Sequence, residues 1–533
     1  MNRFVAPIAL CLLATLCIVA VPSRYAKKVG AVCSTCPPPP PPPPAIGMFG
    51  GPLPGLSASI TNLFNGGYGT FVIKWDPIRG LGPVSTRAAC FTCHGAGVDV
   101  LTGTAGDTSN VTGTRFGKWN TDGTFNYLDG NGTSPENEGG PVLHGITNAT
   151  FQTLPNCKQM TIATNGATES GTTVTITTTA NHGFKVGQEV QVLNVPVSGY
   201  NGQFAIVSVP TSTTFTYTAT KSGLATSGGG VAQNLPHEVV PADATVSNLV
   251  RSPQLFGFGL IDNIPDSDIL ANAAASKGFG IKGVANMVPD ESGVIRPGKF
   301  GQKLDAVSLF QFNANAEFNE LGITTGAGPF GVASMFNSSE HLPQGLPFPT
   351  ACQPDTNAPQ DVSQVNMIKM TQFEALLAPI PPQPPTSAST AGETVFNTIG
   401  CSTCHIQSYT TQQNVKLRTT AGGQTAVIPS LSNVTFSPYS DFLLHDMGSG
   451  DSGGIPFQPH GQGQASLTMW RSSPLWGLSN VLRKAGGLMH DNGSTSIDAA
   501  IRRHGGEAAT VVNNYKGLSK TDSTNLLAFL NSL

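Results

Sequence analysis

Two pentapeptides decide how this chain reads: Cys90-Phe91-Thr92-Cys93-His94 and Cys401-Ser402-Thr403-Cys404-His405. Both have the form C-x-x-C-H. Two thiols so spaced can form thioether bonds to the vinyl groups of one haem, and the adjacent histidine becomes the proximal iron ligand. At this chain's Cys and His frequencies, accident would produce the pattern about 0.003–0.004 times, so two copies point to chemistry. A structural zinc site fits poorly, because an adjacent Cys-His pair spans one tetrahedral centre badly and the fourth ligand must come from elsewhere. A redox C-x-x-C opens a helix after a strand in a βαβ unit, and neither segment has that setting. The expectation is two covalently bound haem c groups, held through Cys90, Cys93, Cys401 and Cys404, with His94 and His405 on the irons.

Working outward, the N-terminus joins Arg3 to a nearly unbroken apolar run from Phe4 to Val21, followed by Arg24, Lys27 and Lys28. That pattern is an export signal, with an uncleaved membrane anchor as the alternative. Either places the body in the periplasm or outside the cell, where haem c is attached. Of the ten cysteines, four serve haem and two lie in the export segment. Cys33 and Cys36 form a C-x-x-C whose ligand position holds Pro37, so a small disulfide loop is expected rather than a third haem. Cys157 and Cys352 could pair. A net charge of −3 with 11% charged residues describes a neutral, loop-rich surface. No basic stripe with interleaved aromatics is present, so nucleic acid is not an expected partner.

Composition divides the chain into an export signal or anchor (1–28), a Pro-rich stalk (29–57), an N-terminal haem domain (58–158 plus 234–377), an all-β insertion (159–233), a Pro-rich linker (378–389) and a C-terminal cytochrome c domain (390–533). The insertion is read from period-two runs such as Val174-Thr175-Ile176-Thr177-Thr178, broken by Asn-Gly and His-Gly steps. His182 falls in a turn there and reads as structural. Thr390-Ala391-Gly392-Glu393 reads as a capping box opening a short helix that Gly400 ends, directly before Cys401. Ser519-Lys520-Thr521-Asp522 opens a terminal helix to pack on it. The fold expectation is mainly α and cytochrome c-like, with two haem-c domains and a small all-β insertion.

Several stretches carry a family resemblance: Arg251 to Ile261 (RSPQLFGFGLI), Ile264-Pro265-Asp266, Phe318 to Thr324, Leu443 to Gly448 (LLHDMG), Pro474 to Leu478 (PLWGL) and Ala500 to Ala508 (AIRRHGGEA). The chain resembles the di-haem oxidoreductases of peroxidase type, also called thiol oxidoreductases, which are similar to bacterial di-haem cytochrome c peroxidases. The resemblance spans most of 58–158 and 234–533 and leaves out the stalk and the insertion. In the relatives the second haem's distal ligand lies fourteen residues past a turn histidine. Here that histidine is His490, and the count reaches His504, where the peroxidases commonly have Met. The resemblance therefore implies His405/His504 ligation of the second haem. A capping box at Thr495-Ser496-Ile497-Asp498 supports a helix leading to His504; the alternative is a helix-end residue favoured by the dipole. Relatives often read His-Asp-Gly-Arg at the turn, whereas this chain has His490-Asp491-Asn492-Gly493, which puts in doubt any role of the missing arginine. Calcium held by carbonyls near Ala485 and Gly487 is also implied.

The first haem's far side is less determined. His144 is a candidate distal ligand, with His237 and His341 as further candidates, and an open site is the other reading. Peroxide cleavage needs a group to move a proton between the two oxygens, and Glu138, Glu317 and Glu320 are the candidates. His445 and Met447 are candidates for a pocket wall. The functional expectation is an exported oxidoreductase in which haem 2 relays electrons to haem 1. Its partners would be a donor or acceptor protein or small redox molecule, and hydrogen peroxide. The alternatives are a non-catalytic electron carrier with both irons six-coordinate and an oxygenase-like di-haem enzyme.

Overall fold

Helix Ala58–Phe71 buries Ile60, Phe64, Tyr68 and Phe71, the i, i+4, i+8, i+11 stripe of one helical face. Ser57 caps it by accepting a hydrogen bond from the Ile60 N–H. The stripe packs on helix Gln364–Ala375, where the rings of Phe64, Tyr68 and Phe71 surround Phe373 at 5.1, 5.7 and 4.9 Å. The helices meet at Gly67, where a Cβ would sit 2.1 Å from the Lys369 carbonyl oxygen. Helix Leu309–Leu321 also packs on Gln364–Ala375, and both helices line a cavity with the first pentapeptide.

The computed structural model describes residues 50–75, 84–85, 89–95, 105–108, 112–119, 121, 125–126, 146–147, 160–184, 186, 189–219, 222–235, 246–321, 323, 364–420, 423–448 and 468–533. The apolar N-terminal run, Cys33, Cys36, Cys157, Cys352, Glu138, His144, His237 and His341 lie outside the described residues. Among the described residues, no helix is long and apolar enough to cross a membrane.

The C-terminal haem segment is framed by helices Ser387–Ile399 and Lys520–Ser532. They approach closely at Gly392, where a Cβ would lie 1.9 Å from the Asn525 carbonyl oxygen, and Phe396 meets Phe529 edge-on at 5.3 Å. The first of these helices starts earlier than its sequence suggests. Its capping box is Thr386 with Ser389, immediately after Pro385, and not Thr390 with Glu393. Gly400 ends it at φ 102°, and Cys401 follows.

Between the two halves, seven strands form one sheet: Met160–Ser170, Thr173–Thr178, Glu189–Leu193, Gly202–Ala205, Ser208–Thr211, Thr214–Thr218 and Val231–Leu235. It surrounds a core of its own that includes Val174, Ile176, Val190, Val192, Tyr200, Phe215 and Tyr217. The Asn165-Gly166 step makes a bulge rather than a break, with Asn165 at φ 58° and a register shift between Ile162 and Ala167. His182 is buried here, accepting from the Phe184 N–H at Nδ1.

The expectation of a mainly α chain is corrected: among the described residues, one seven-stranded sheet and six smaller sheets stand beside the helices. The large sheet contributes part of the strand content. The rest comes from ladders that stitch the loops around the haem segments. Thr112–Trp119 pairs with Val246–Arg251, Lys416–Arg418 with Thr425–Val427, and Leu444–Asp446 with Met469–Arg471. Most are two or three residues long, too short for an alternating pattern to show in sequence.

Candidate functional site

The first pentapeptide forms a single helical turn, Cys90–Cys93, with the His94 N–H bonded to the Cys90 carbonyl at 2.9 Å. His94 Nδ1 lies 2.8 Å from the Pro253 carbonyl oxygen, so it must donate, leaving Nε2 with the lone pair. Burial pushes this imidazole down to about 4, against the pull of Pro253, so it is neutral as a metal ligand must be. Cys90, Cys93 and His94 line one cavity. The same cavity is lined by Glu317 and Glu320 from helix Leu309–Leu321, and by Met370 and Glu374 from helix Gln364–Ala375. Glu317 and Glu374 are buried, and each has one carboxyl oxygen without a hydrogen-bond partner. Burial, then the neighbouring Glu374 charge, raises Glu317 well above the usual carboxylate range. Burial raises Glu374 to about 8 against a hydrogen bond from Asn313. The Met370 sulfur is 3.8 Å from the Cys90 sulfur. Sequence reasoning brought Glu317 and Glu320 to this cavity and missed Glu374. Its signal was a lone carboxylate in the apolar run Phe373-Glu374-Ala375-Leu376-Leu377.

The second pentapeptide forms a tight turn after Gly400, with His405 N–H on the Cys401 carbonyl at 3.0 Å. His405 Nδ1 donates to the Tyr439 carbonyl at 2.9 Å, and burial lowers its imidazole to about 4, with His504 pushing the same way. His504 caps helix Ile497–Arg503, which Ser496 opens by accepting from the Ala499 N–H. His504 Nδ1 faces the Ala500 carbonyl at 2.7 Å, so it too keeps Nε2 as its acceptor nitrogen. His405 and His504 line one cavity, together with His445, Met447, Met489 and His490. His445 is placed as a tie: Nε2 lies 3.1 Å from Asp441 and Nδ1 3.0 Å from Glu507. Two carboxylate partners require both ring nitrogens to donate. Burial opposes that charge, but the bonds to Asp441, Cys404 and Glu507 override it and raise the imidazole far above its usual value. Lys277 completes the cluster at 2.9 Å from Asp441.

The two cavities share a wall. Arg251, Gln302, Trp470 and Arg471 line both. The Trp470 ring stacks on His490 at 3.6 Å and 11°, with Lys303 Nζ 3.7 Å from the ring centroid. Two cavities, each with its own C-x-x-C-H turn and neutral histidine, are what a pair of haems requires, and comparison with known families agrees. The model of the family described as "Di-haem oxidoreductase, putative peroxidase" matches residues 227–533. The chain belongs to this family. The matched part of this di-haem oxidoreductase includes Cys401 to His405 and begins beyond Cys90. Among solved structures, hydrazine synthase of Kuenenia stuttgartiensis is 14% identical over 39% of this chain and 60% of that one, with a TM-score of 0.20. The oxidoreductase thus spans 60% of that chain's length. None of the curated proteins matches. The donor set fits haem at both cavities: neutral histidines, thiols that burial keeps protonated at Cys90 and Cys401, and orphaned buried polar atoms along the walls. Among the described residues no group of three His, Cys, Asp or Glu side chains forms a separate metal site.

Proposed function

We propose that this protein is an exported di-haem c-type oxidoreductase that reduces hydrogen peroxide. In this reading Cys90 with Cys93, and Cys401 with Cys404, attach the haems, while His94 and His405 bind the irons. His504 would hold the Cys401 haem's iron together with His405. When bound, the haems supply one-electron redox chemistry. The observation that carries the reading is the asymmetry of the two cavities: a buried carboxyl pair faces one, a second histidine the other. Peroxide reduction takes up two electrons and two protons and gives two waters. Glu317, held neutral by burial, is suited to pass a proton between the peroxide oxygens, and Glu374 to replenish it. Trp470, in the wall common to both cavities, gives electrons a short aromatic route from the Cys401 side to the Cys90 side. Export follows from residues 1–28 and from where haem c is assembled.

Met370 supports a second reading. Its sulfur, beside Cys90, is a thioether that could close the first iron and leave an electron carrier. Electron paramagnetic resonance of the resting ferric protein, paired with a peroxide assay, separates the two. One high-spin centre with turnover supports the peroxidase; two low-spin centres without turnover support the carrier. His504→Ala should convert the low-spin signal of the Cys401 haem to high-spin, and an unchanged spectrum would remove His504 as a ligand.

A further inference from the structure

We propose that Arg251 and Arg471 form one anion clamp that takes propionate carboxylates from both haems, so that the two cofactors share a single electrostatic anchor. The inference rests on the di-haem reading above and adds a link between the sites. Both arginines line both cavities. Among the described residues, the oxygens that the Arg251 guanidinium reaches are neutral: the Met489 carbonyl at 3.4 Å, the Thr108 hydroxyl at 3.2 Å and the Ser252 carbonyl at 3.4 Å. The Arg471 Nε is buried without a hydrogen-bond partner. Burial, then the neighbouring Arg471 charge, lowers Arg251 to about 10; burial lowers Arg471 to about 10 against the pull of Asp305. Lys303, Asp305 and Glu320 also line the Cys90 cavity; the Asp305 charge acts on Arg471, and among the described residues no carboxylate acts on Arg251 in the same way.

Like charges held together away from water are costly unless an anion joins them. A guanidinium presents a planar fork that matches a carboxylate with two parallel bonds. The main chain that carries both arginines is tied to the wall between the cavities. The Arg251 N–H bonds to the His490 carbonyl at 2.7 Å, the Arg471 N–H to the Gln302 carbonyl at 3.2 Å, and Gln302 Nε2 donates to the Arg251 carbonyl at 3.3 Å. Propionates are the anionic edge of a haem, and the wall between the cavities is where both haems can present that edge to the same cations.

A cation beside a haem favours the ferrous state, because reduction removes one positive charge from the iron. Replacing Arg471 by glutamine should therefore lower the midpoint potentials of both haems, whereas Lys303→Gln should lower chiefly that of the Cys90 haem. Arg471→Lys, which keeps the charge, should stay nearer to the parent. The measurement is a spectroscopic redox titration of the holoprotein, with haem content read by pyridine haemochrome and mass spectrometry. Potentials that move for one haem only, or for neither, at full haem content overturn the clamp and leave the di-haem reading standing. Parent protein without two haems defeats the reading itself. If Arg471→Gln yields no mature protein, Arg251→Gln is held to the same criterion.

Discussion

The Cys90 and Cys401 cavities begin from the same pentapeptide and end in different chemistry. In each, the turn, the backbone bond from the histidine N–H to the first cysteine, and a carbonyl on Nδ1 are alike. The facing walls differ. Helices Leu309–Leu321 and Gln364–Ala375 bring buried carboxyls to the first; helix Ile497–Arg503 brings His504 to the second. The histidine side of such a site is set locally, within five residues and one carbonyl. The opposite side is set by elements far away in sequence, and it is there that the two cavities diverge.

Four experiments break or sharpen this contrast. The largest effect is expected from Cys90→Ala/Cys93→Ala and Cys401→Ala/Cys404→Ala, each of which should remove one covalent haem of two; mass spectrometry showing both haems retained would end the covalent assignment. Next, Glu317→Gln should lower peroxide turnover by about 10²–10⁴-fold at unchanged haem content. Equal turnover would move the proton chemistry away from helix Leu309–Leu321. Third, Phe215→Ala should destabilise the seven-stranded sheet by about 3–5 kcal/mol and leave both haem spectra alone, since Phe215 belongs to the sheet's own core. A spectral change would show that the sheet tunes the cavities. The smallest effect is a pH slope. Glu374 is raised to about 8 in the folded protein, so the folded state binds more protons than the unfolded one above the ordinary carboxylate value. Stability should fall from about pH 4.5 to about pH 8, by on the order of a few kcal/mol. Glu374→Gln should flatten that slope in a thermal-midpoint series, and a parallel slope would assign it to another group.

Much of this was legible in the sequence where a local rule applies. The pentapeptides, the alternating runs around Val174 and Phe215, and the serine cap at Ser519 all act within a few residues, while the cap before His504 falls on Ser496, one residue after the expected Thr495. What escaped depends on tertiary neighbours. The ladder of Leu444–Asp446 with Met469–Arg471 is three residues long and has no periodic signal. Glu374 looks like any helical carboxylate until Glu317 is seen to face the same cavity. Arg251 belonged to a family-like stretch without a role, because only the fold brings Arg471 beside it. Thr386 was passed over as a cap because the proline run before it reads as linker, although a helix can begin as soon as the prolines end.

One ladder has a wider consequence. Thr112–Trp119 precedes the seven-stranded sheet in sequence, Val246–Arg251 follows it, and the two pair side by side. A chain that leaves and rejoins its parent through such a doorway keeps its two ends adjacent whatever lies between them. Evolution could add, exchange or delete the sheet there in one genetic event without rethreading the redox core, and a protein engineer could graft a tether or surface-binding module at the same threshold.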